Sequence, residues 1–184
     1  MKMGELDLVD YAIYFATKAH TGQRRKSEKD VDMIFHPFTV GMMLQMAGAN
    51  INCVVAGILH DVVEDTEYSL KNVEIEFGKD IAKIVEEVSE DKSLPWKERK
   101  IKAIDKIKTA SIEGKLVECA DKINNLETLY NLYKEQGESV WKNFNKPKEE
   151  QKWYYTNMYK AVLMNTNEEE ILFERYKKIL EKLF

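Results

Sequence analysis

An all-α bundle of about nine or ten helices is the architecture to expect from this chain. Only three prolines and eight glycines interrupt 184 residues, which favours long helices over many short strands. Apolar residues recur at the three- and four-residue steps that line one face of a helix. No stretch alternates apolar and polar residues as a half-buried strand would, and no internal repeat or low-complexity tract stands out.

Taken in order, "LDLVDYAIYFATKAH" places Leu8, Tyr11, Ala12, Phe15, Ala16 and Ala19 on one helical face, with Gly22 as the stop signal. A polar, basic loop, "TGQRRKSEKDVD", follows. A Met-rich helix runs through "TVGMMLQMAG" to Gly48, with Met42, Met43 and Met46 read as core filler. Asn50 is placed to cap one continuous helix, "INCVVAGILHDVVEDT". Ser69 starts a short helix to Phe77 with Glu74 and Glu76 on its wet side, and "GKDIAKIVEEVSED" is amphipathic again. Pro95 marks the next start, with Ile101, Ile104 and Ile107 inward and the lysines and arginines of 97–108 mostly solvated. In "EGKLVECADKINNLETLYNLY" the inward residues are Leu116, Val117, Ala120, Ile123, Leu126 and Leu129. A less patterned segment leads to the Tyr-rich helix "EEQKWYYTNMYKAVLMN", and a last helix begins after Thr166 and Asn167.

Composition narrows the function classes. Hydrophobic residues make up 44% and charged residues 33%, as in a soluble globular protein. A formal net charge of −4 argues against a general nucleic-acid binder, which would carry a basic excess. No apolar run has the length of a membrane span, and "MKMGELDLVD" lacks a signal peptide's apolar core. Cys53 and Cys119 sit in apolar surroundings without metal-ligand spacing, which suits buried thiols in a reducing compartment, hence the cytoplasm.

The chemistry concentrates in "GILHDVVEDTE", where His60, Asp61, Glu64 and Asp65 stand among apolar residues. Glu64 lies four residues after His60, and Asp65 four after Asp61, so the pairs stack along one helix face. Burying unpaired charge is costly, and a metal cation would neutralise and coordinate these groups. His36, just before Pro37, and Asp121, on an inward turn of "VECADKINN", are the further candidate ligands. Carboxylates suit Mn or Mg and imidazole suits Zn, Fe or Ni, so a mixed set points to manganese or iron. His20 ends the first helix, where a positive group favours the dipole, and is read as structural.

"AHTGQRRK", "FHP", "ILHD", "VVEDT", "FG" and "ADKINNL" follow one another in the order and spacing of the HD-domain phosphohydrolases. The fuller string resembles the RelA/SpoT hydrolase domain, above all the free-standing small alarmone hydrolases, animal-type members included. The likeness runs from about residue 10 to 130, with 131–184 expected as C-terminal helices completing a single HD domain over 1–184. It implies that His36, His60, Asp61 and Asp121 bind the metal, manganese in that family, with iron, zinc and magnesium the other ions such donors take. It implies that Glu64 and Asp65 position or activate the attacking water. The implied substrate is a small-molecule nucleotide, guanosine bearing a 3′-diphosphate, from which pyrophosphate leaves as GDP or GTP forms. Arg25 and Lys26, with Arg24 adjacent, match the family's basic pair, and Asn125 matches a substrate-contacting asparagine. Met33 stands where the family usually has a tyrosine lining the base pocket, and a thioether packs on a base without stacking. The same site chemistry would serve a phosphatase for another ribose-phosphorylated nucleotide such as NADPH, and the reading of another class is a non-catalytic alarmone sensor. Lys148, Lys152, Tyr154 and Tyr155 fall where family members put late substrate contacts.

Overall fold

A computed structural model of the protein describes residues 4–25, 28–166 and 171–184. Its helices are α1 (Glu5–Ala19), α2 (Phe35–Met46), α3 (Ile51–Leu59), α4 (Val62–Asp65), α5 (Leu70–Phe77), α6 (Lys79–Val88), α7 (Trp96–Lys108), α8 (Ile112–Gln136), α9 (Lys148–Val162) and α10 (Ile171–Leu183). A 3-10 helix, Gly137–Asn143, follows α8. Among the described residues the only strand-like feature is one antiparallel bridge, Arg24 to Asp32. The fold is all-α, as the periodicity predicts.

The starts of the helices are written locally. Asn50 Oδ1 accepts the Cys53 N–H at 3.0 Å and opens α3. Ser69 and Asn72 form a reciprocal capping box at the head of α5. Ser111 Oγ accepts the Gly114 N–H at 3.1 Å and opens α8. Gly78, at φ +89, ends α5 and begins α6 in one residue, a backbone conformation that side-chain-bearing residues rarely adopt. The start of α10 falls at residues 167–170, so the Asn167 reading lies outside the described residues.

The centre of the molecule is α3, whose Cys53, Val54, Val55, Ala56, Ile58 and Leu59 are all buried. It packs against α1, α2, α6 and α8. α2 crosses α3 at two glycines. A Cβ on Gly41 would run into the Ile58 side chain, and one on Gly57 into Leu44, both well inside van der Waals contact. Only hydrogen at these positions lets the two backbones approach, and this crossing sets His36 of α2 against His60 at the end of α3. Along α8 the six residues expected inward are all buried.

Three expectations are corrected. The stretch 51–66 is two helices, because the path turns at His60 and Asp61. His60 Nδ1 bonds the Gly57 carbonyl three residues back, and Asp61 sits at φ −85, ψ −11, well off the helical ψ. Met42 and Met46 are 45% and 83% exposed, since the buried face of α2 runs through His36, Pro37, Val40, Gly41, Met43 and Leu44. Ile101 is exposed while Ile104 and Ile107 are buried, because a strict three-residue spacing precesses around a helix of about 3.6 residues per turn.

Candidate active site

α2 supplies His36, the α3–α4 junction His60 and Asp61, α4 Glu64 and Asp65, and α8 Asp121. His36 Nε2 lies 3.0 Å from Asp121 Oδ1 and 3.6 Å from Asp61 Oδ2. His60 Nε2 lies 3.4 Å from Asp61 Oδ1 and 3.9 Å from Asp121 Oδ1. The two rings cross at 69° with centroids 5.1 Å apart. One donor atom each from His36, His60 and Asp121 lies within 4.8 Å of the others. Asp61 reaches both imidazoles with its two oxygens but stands outside that group of three.

The ring orientations suit a cation. His36 Nδ1 faces Asn124 Oδ1 at 2.6 Å, and His60 Nδ1 faces the Gly57 carbonyl at 2.8 Å. Both oxygens only accept, so each Nδ1 carries a proton and each ring turns its Nε2 toward the carboxylates. His60 Nε2 is buried without a hydrogen-bond partner. Two imidazole Nε2 atoms and two carboxylates converge here, a donor set that a divalent cation takes, so the residues present fit a metal.

Electrostatics separates the acids by role. Burial works to raise the Asp121 carboxyl, but Lys122 and the hydrogen bond from His36 outweigh it and hold it well below the usual range. Asp61 is lowered too, His60 and His36 overcoming its burial. Burial pushes His60 down, yet Asp61 and Asp121 carry it above its ordinary value. Glu64 moves the other way: burial, reinforced by the charge of Asp61, lifts its carboxyl to about 7.

Residues 89–93 form a strap across the acidic pair. The Glu90 N–H donates to Glu64 Oε1 at 2.8 Å. Lys92 Nζ bonds Asp65 Oδ1 and stands 3.7 Å from Glu64 Oε2. The Glu90 carboxylate is in turn held by Lys100 at 2.8 and 3.0 Å, by Arg99 at 3.1 Å and by the Tyr154 hydroxyl at 3.2 Å. These three partners bear on the strap, so Arg99, Lys100 and Tyr154 are occupied within the protein.

The residues expected to meet substrate divide. Arg25 is buried, with its Nε lacking a partner. Arg24 is exposed and pairs with Asp32 at 2.8 Å, which stitches the loop. Lys26 lies outside the described residues. Met33 is half-buried just ahead of His36, its N–H bonded to the Gln23 carbonyl at 3.0 Å. Asn125 donates its amide to Asp121 Oδ1, so it holds a candidate ligand directly. Lys148 pairs with Glu138 at 2.8 Å and Lys152 with the Phe184 carbonyl at 3.0 Å.

Sequence reasoning missed Asn124, Lys122, Glu90, Lys92 and the His20–Gln23 pair. Lys122 bonds both Asp121 Oδ2 and, at 3.0 Å, Glu118 Oε1, and is buried with them. A signal existed for Asn124 and Lys122, which lie within one turn of Asp121 on the same helix. For the strap there was none.

The HD domain family matches residues 12–146 of the chain. Guanosine-3′,5′-bis(diphosphate) 3′-pyrophosphohydrolase MESH1 of Xenopus tropicalis is 40% identical over 124 residues, 66% of this chain and 69% of that protein. The human MESH1 is 41% identical over 117 residues, 62% of this chain and 65% of its own length. The aligned stretch thus spans about two thirds of these relatives. In structure the chain is similar to a metazoan ortholog of SpoT that hydrolyses ppGpp, with a TM-score of 0.78, 27% identity, and coverage of 95% of this chain and 94% of that one.

Proposed function

The chain belongs to the HD-domain family, and on that premise we propose that it is a guanosine-3′,5′-bis(diphosphate) 3′-pyrophosphohydrolase, acting as one domain over residues 1–184. Its substrate would be (p)ppGpp and its products pyrophosphate with GDP or GTP. The observation that carries this reading is the pair of Nε2 atoms of His36 and His60 turned to Asp121 and Asp61, beside a glutamate lifted to about 7.

His36, His60, Asp61 and Asp121 would hold the ion, which we take to be manganese. Such an ion supplies positive charge to phosphoryl oxygens and acidifies a nearby water. The chain's own residues do the rest. Glu64, poised near neutrality, takes a proton from the attacking water as its oxygen bonds to the phosphorus next to the ribose. The bond from that phosphorus to the ribose 3′ oxygen breaks, the 3′ oxygen takes up the proton that Glu64 removed from the water, and pyrophosphate departs. Asp65, held by Lys92, stands beside Glu64 and shares the steering of protons. Arg25, with an unpartnered buried Nε, is assigned to the phosphates in this reading together with Lys26 and Asn125, and Met33 to the base, while Arg24, paired with Asp32, holds the loop that carries Arg25. The buried thiols of Cys53 and Cys119 suit a reducing compartment, and we assign the protein to the cytoplasm. Among the described residues no helix is long and apolar enough to cross a membrane.

The test is a panel assay of purified protein with manganese against ppGpp, NADPH and nucleoside monophosphates. Pyrophosphate from ppGpp is expected. Orthophosphate from NADPH alone would replace this reading with a phosphatase, and silence on every substrate would leave an alarmone sensor.

A further inference from the structure

Burial and the charge of Asp61 both push the Glu64 carboxyl upward, toward the protonated form that cannot accept a proton from water. The strongest counterweight is the Glu90 N–H, which donates to Glu64 Oε1 at 2.8 Å. An N–H pointed at a carboxylate favours its charged form. It also fills a lone pair of Oε1 and leaves Oε2, which stands 3.7 Å from Lys92 Nζ, beyond a hydrogen bond, as the oxygen open to a proton.

That N–H belongs to a loop, and a loop must be held if such a bond is to persist. The strap leaves α6 at Ser89, whose N–H bonds the Val85 carbonyl at 3.0 Å, and turns at Asp91, whose carboxylate takes the Ser93 N–H at 3.0 Å. Those ties fix residues 89 and 91, and Glu90 between them is fixed by its side chain. That side chain is only 9% exposed and lies in a grip of three donors on two other helices. Lys100 of α7 reaches both carboxylate oxygens at 2.8 and 3.0 Å, and Arg99 Nε stands 3.1 Å from Oε2. The Tyr154 hydroxyl of α9 donates to Oε1 at 3.2 Å. Two cations and a hydroxyl on one buried carboxylate make a charge-assisted anchor, stronger than neutral pairs. One residue therefore joins α7 and α9, through its carboxylate, to Glu64, through its amide.

We propose that Glu90 is a positioning residue for hydrolysis: its carboxylate, held by Arg99, Lys100 and Tyr154, aims its own backbone N–H at Glu64 Oε1 and so turns Oε2 to the attacking water. The inference rests on the hydrolase reading above. Glu90 touches neither substrate nor ion and gives up no proton. The proton passes from water to Glu64 Oε2 as the oxygen–phosphorus bond forms. Tyr154, whose place in the chain suggests a substrate contact, acts through Glu90 instead.

Three variants and one exchange measurement test this. Glu90→Ala removes the anchor and keeps the N–H. It should lower kcat by ~30-fold, with KM for ppGpp and manganese content within about two-fold of wild type. Glu90→Gln, whose amide oxygen still accepts from Lys100 and Tyr154, should recover at least about five-fold of that loss. Tyr154→Phe takes only the hydroxyl, should cost kcat about five-fold, and covers the case in which Glu90→Ala fails to fold. Added to Glu90→Ala it should cost nothing further, because the hydroxyl acts through the carboxylate. The contact itself is read without turnover. In metal-free protein the Glu90 amide should exchange its proton slowly, and at least about ten-fold faster in Tyr154→Phe. Fast exchange in wild type, loss of metal in Glu90→Ala, or a raised KM with unchanged kcat in Tyr154→Phe would each overturn the proposal. Wild-type protein silent toward the whole substrate panel would remove the hydrolase reading, and this role with it. Normal wild-type turnover with an indifferent Glu90→Ala would remove the Glu90 role alone.

Discussion

His36, His60 and Asp121 are held by partners deep in the helical core, whereas Asp65 is held by a lysine on a surface strap that is itself 39% exposed. On the first wall, every hydrogen-bonding side-chain atom of these three residues is spoken for by Asn124, Gly57, Lys122 or Asn125, except the two Nε2 atoms that face inward. On the second, Glu64 takes one backbone N–H from the strap, and Lys92 leans on Asp65 from solvent. The difference teaches a division of labour. The buried wall fixes where an ion sits, and changes there should cost metal and stability together. The strapped wall tunes proton transfer, and changes there should cost rate and leave metal in place.

The largest effect is expected on the buried wall. Asp121→Asn should abolish metal retention and lower hydrolysis by at least about 10³-fold. It should also destabilise the fold by roughly 3 kcal/mol, because Lys122 would stay buried beside Glu118 without its main partner. Metal content by elemental analysis and unfolding in urea check the two halves. A variant that keeps its metal would break the distinction at once.

Next comes Glu64→Gln on the strapped wall, with kcat down by about 10²- to 10⁴-fold and metal content intact. The same residue makes a pH prediction for chelated protein. Its folded carboxyl is raised from 4.5 to about 7, so folding favours the protonated form. The stability it contributes is complete below pH 4.5 and is lost as pH rises through about 7. At about 1.4 kcal/mol per unit the full loss is roughly 3.5 kcal/mol. Glu64→Gln should therefore unfold at higher urea than wild type at pH 8 and at the same urea at pH 4. Equal midpoints at both values would mean that Glu64 is not held near neutrality.

Smaller effects sharpen the contrast. Lys92→Met should lower kcat by roughly ten-fold, measured in steady state, with metal affinity unchanged, since it removes a partner of Asp65 and no ligand. Arg24→Ala should change kcat/KM by less than about two-fold, because its exposed pair with Asp32 stitches the loop alone. A large loss there would return Arg24 to the substrate.

The same division explains what could be read from the chain. His60 and Asp61 are adjacent, Glu64 and Asp65 follow within a turn, and Asp121 shares an inward helix face, so periodicity alone brought them forward. The helices were legible for the same reason, and their caps at Asn50 and Ser69 are local chemistry. The turn at His60 and Asp61 was not legible, because it follows from one side-chain bond to Gly57 that only the folded ring orientation shows. Glu90 and Lys92 reach the acids from 26 and 27 residues away through a loop with no pattern. His20 was set aside as a helix-end charge, and its tie to Asp65 runs through Gln23 to a carbonyl 42 residues along the chain. Side chains whose partners come from distant loops carry no periodic signature.

The most direct measurement is metal add-back to chelated protein, following pyrophosphate and GDP released from ppGpp. The expected result is no turnover without metal, and activity that rises in step with manganese until one ion is bound per chain, with pyrophosphate and GDP in equal amounts. Full turnover in the chelated protein, or orthophosphate in place of pyrophosphate, would contradict it.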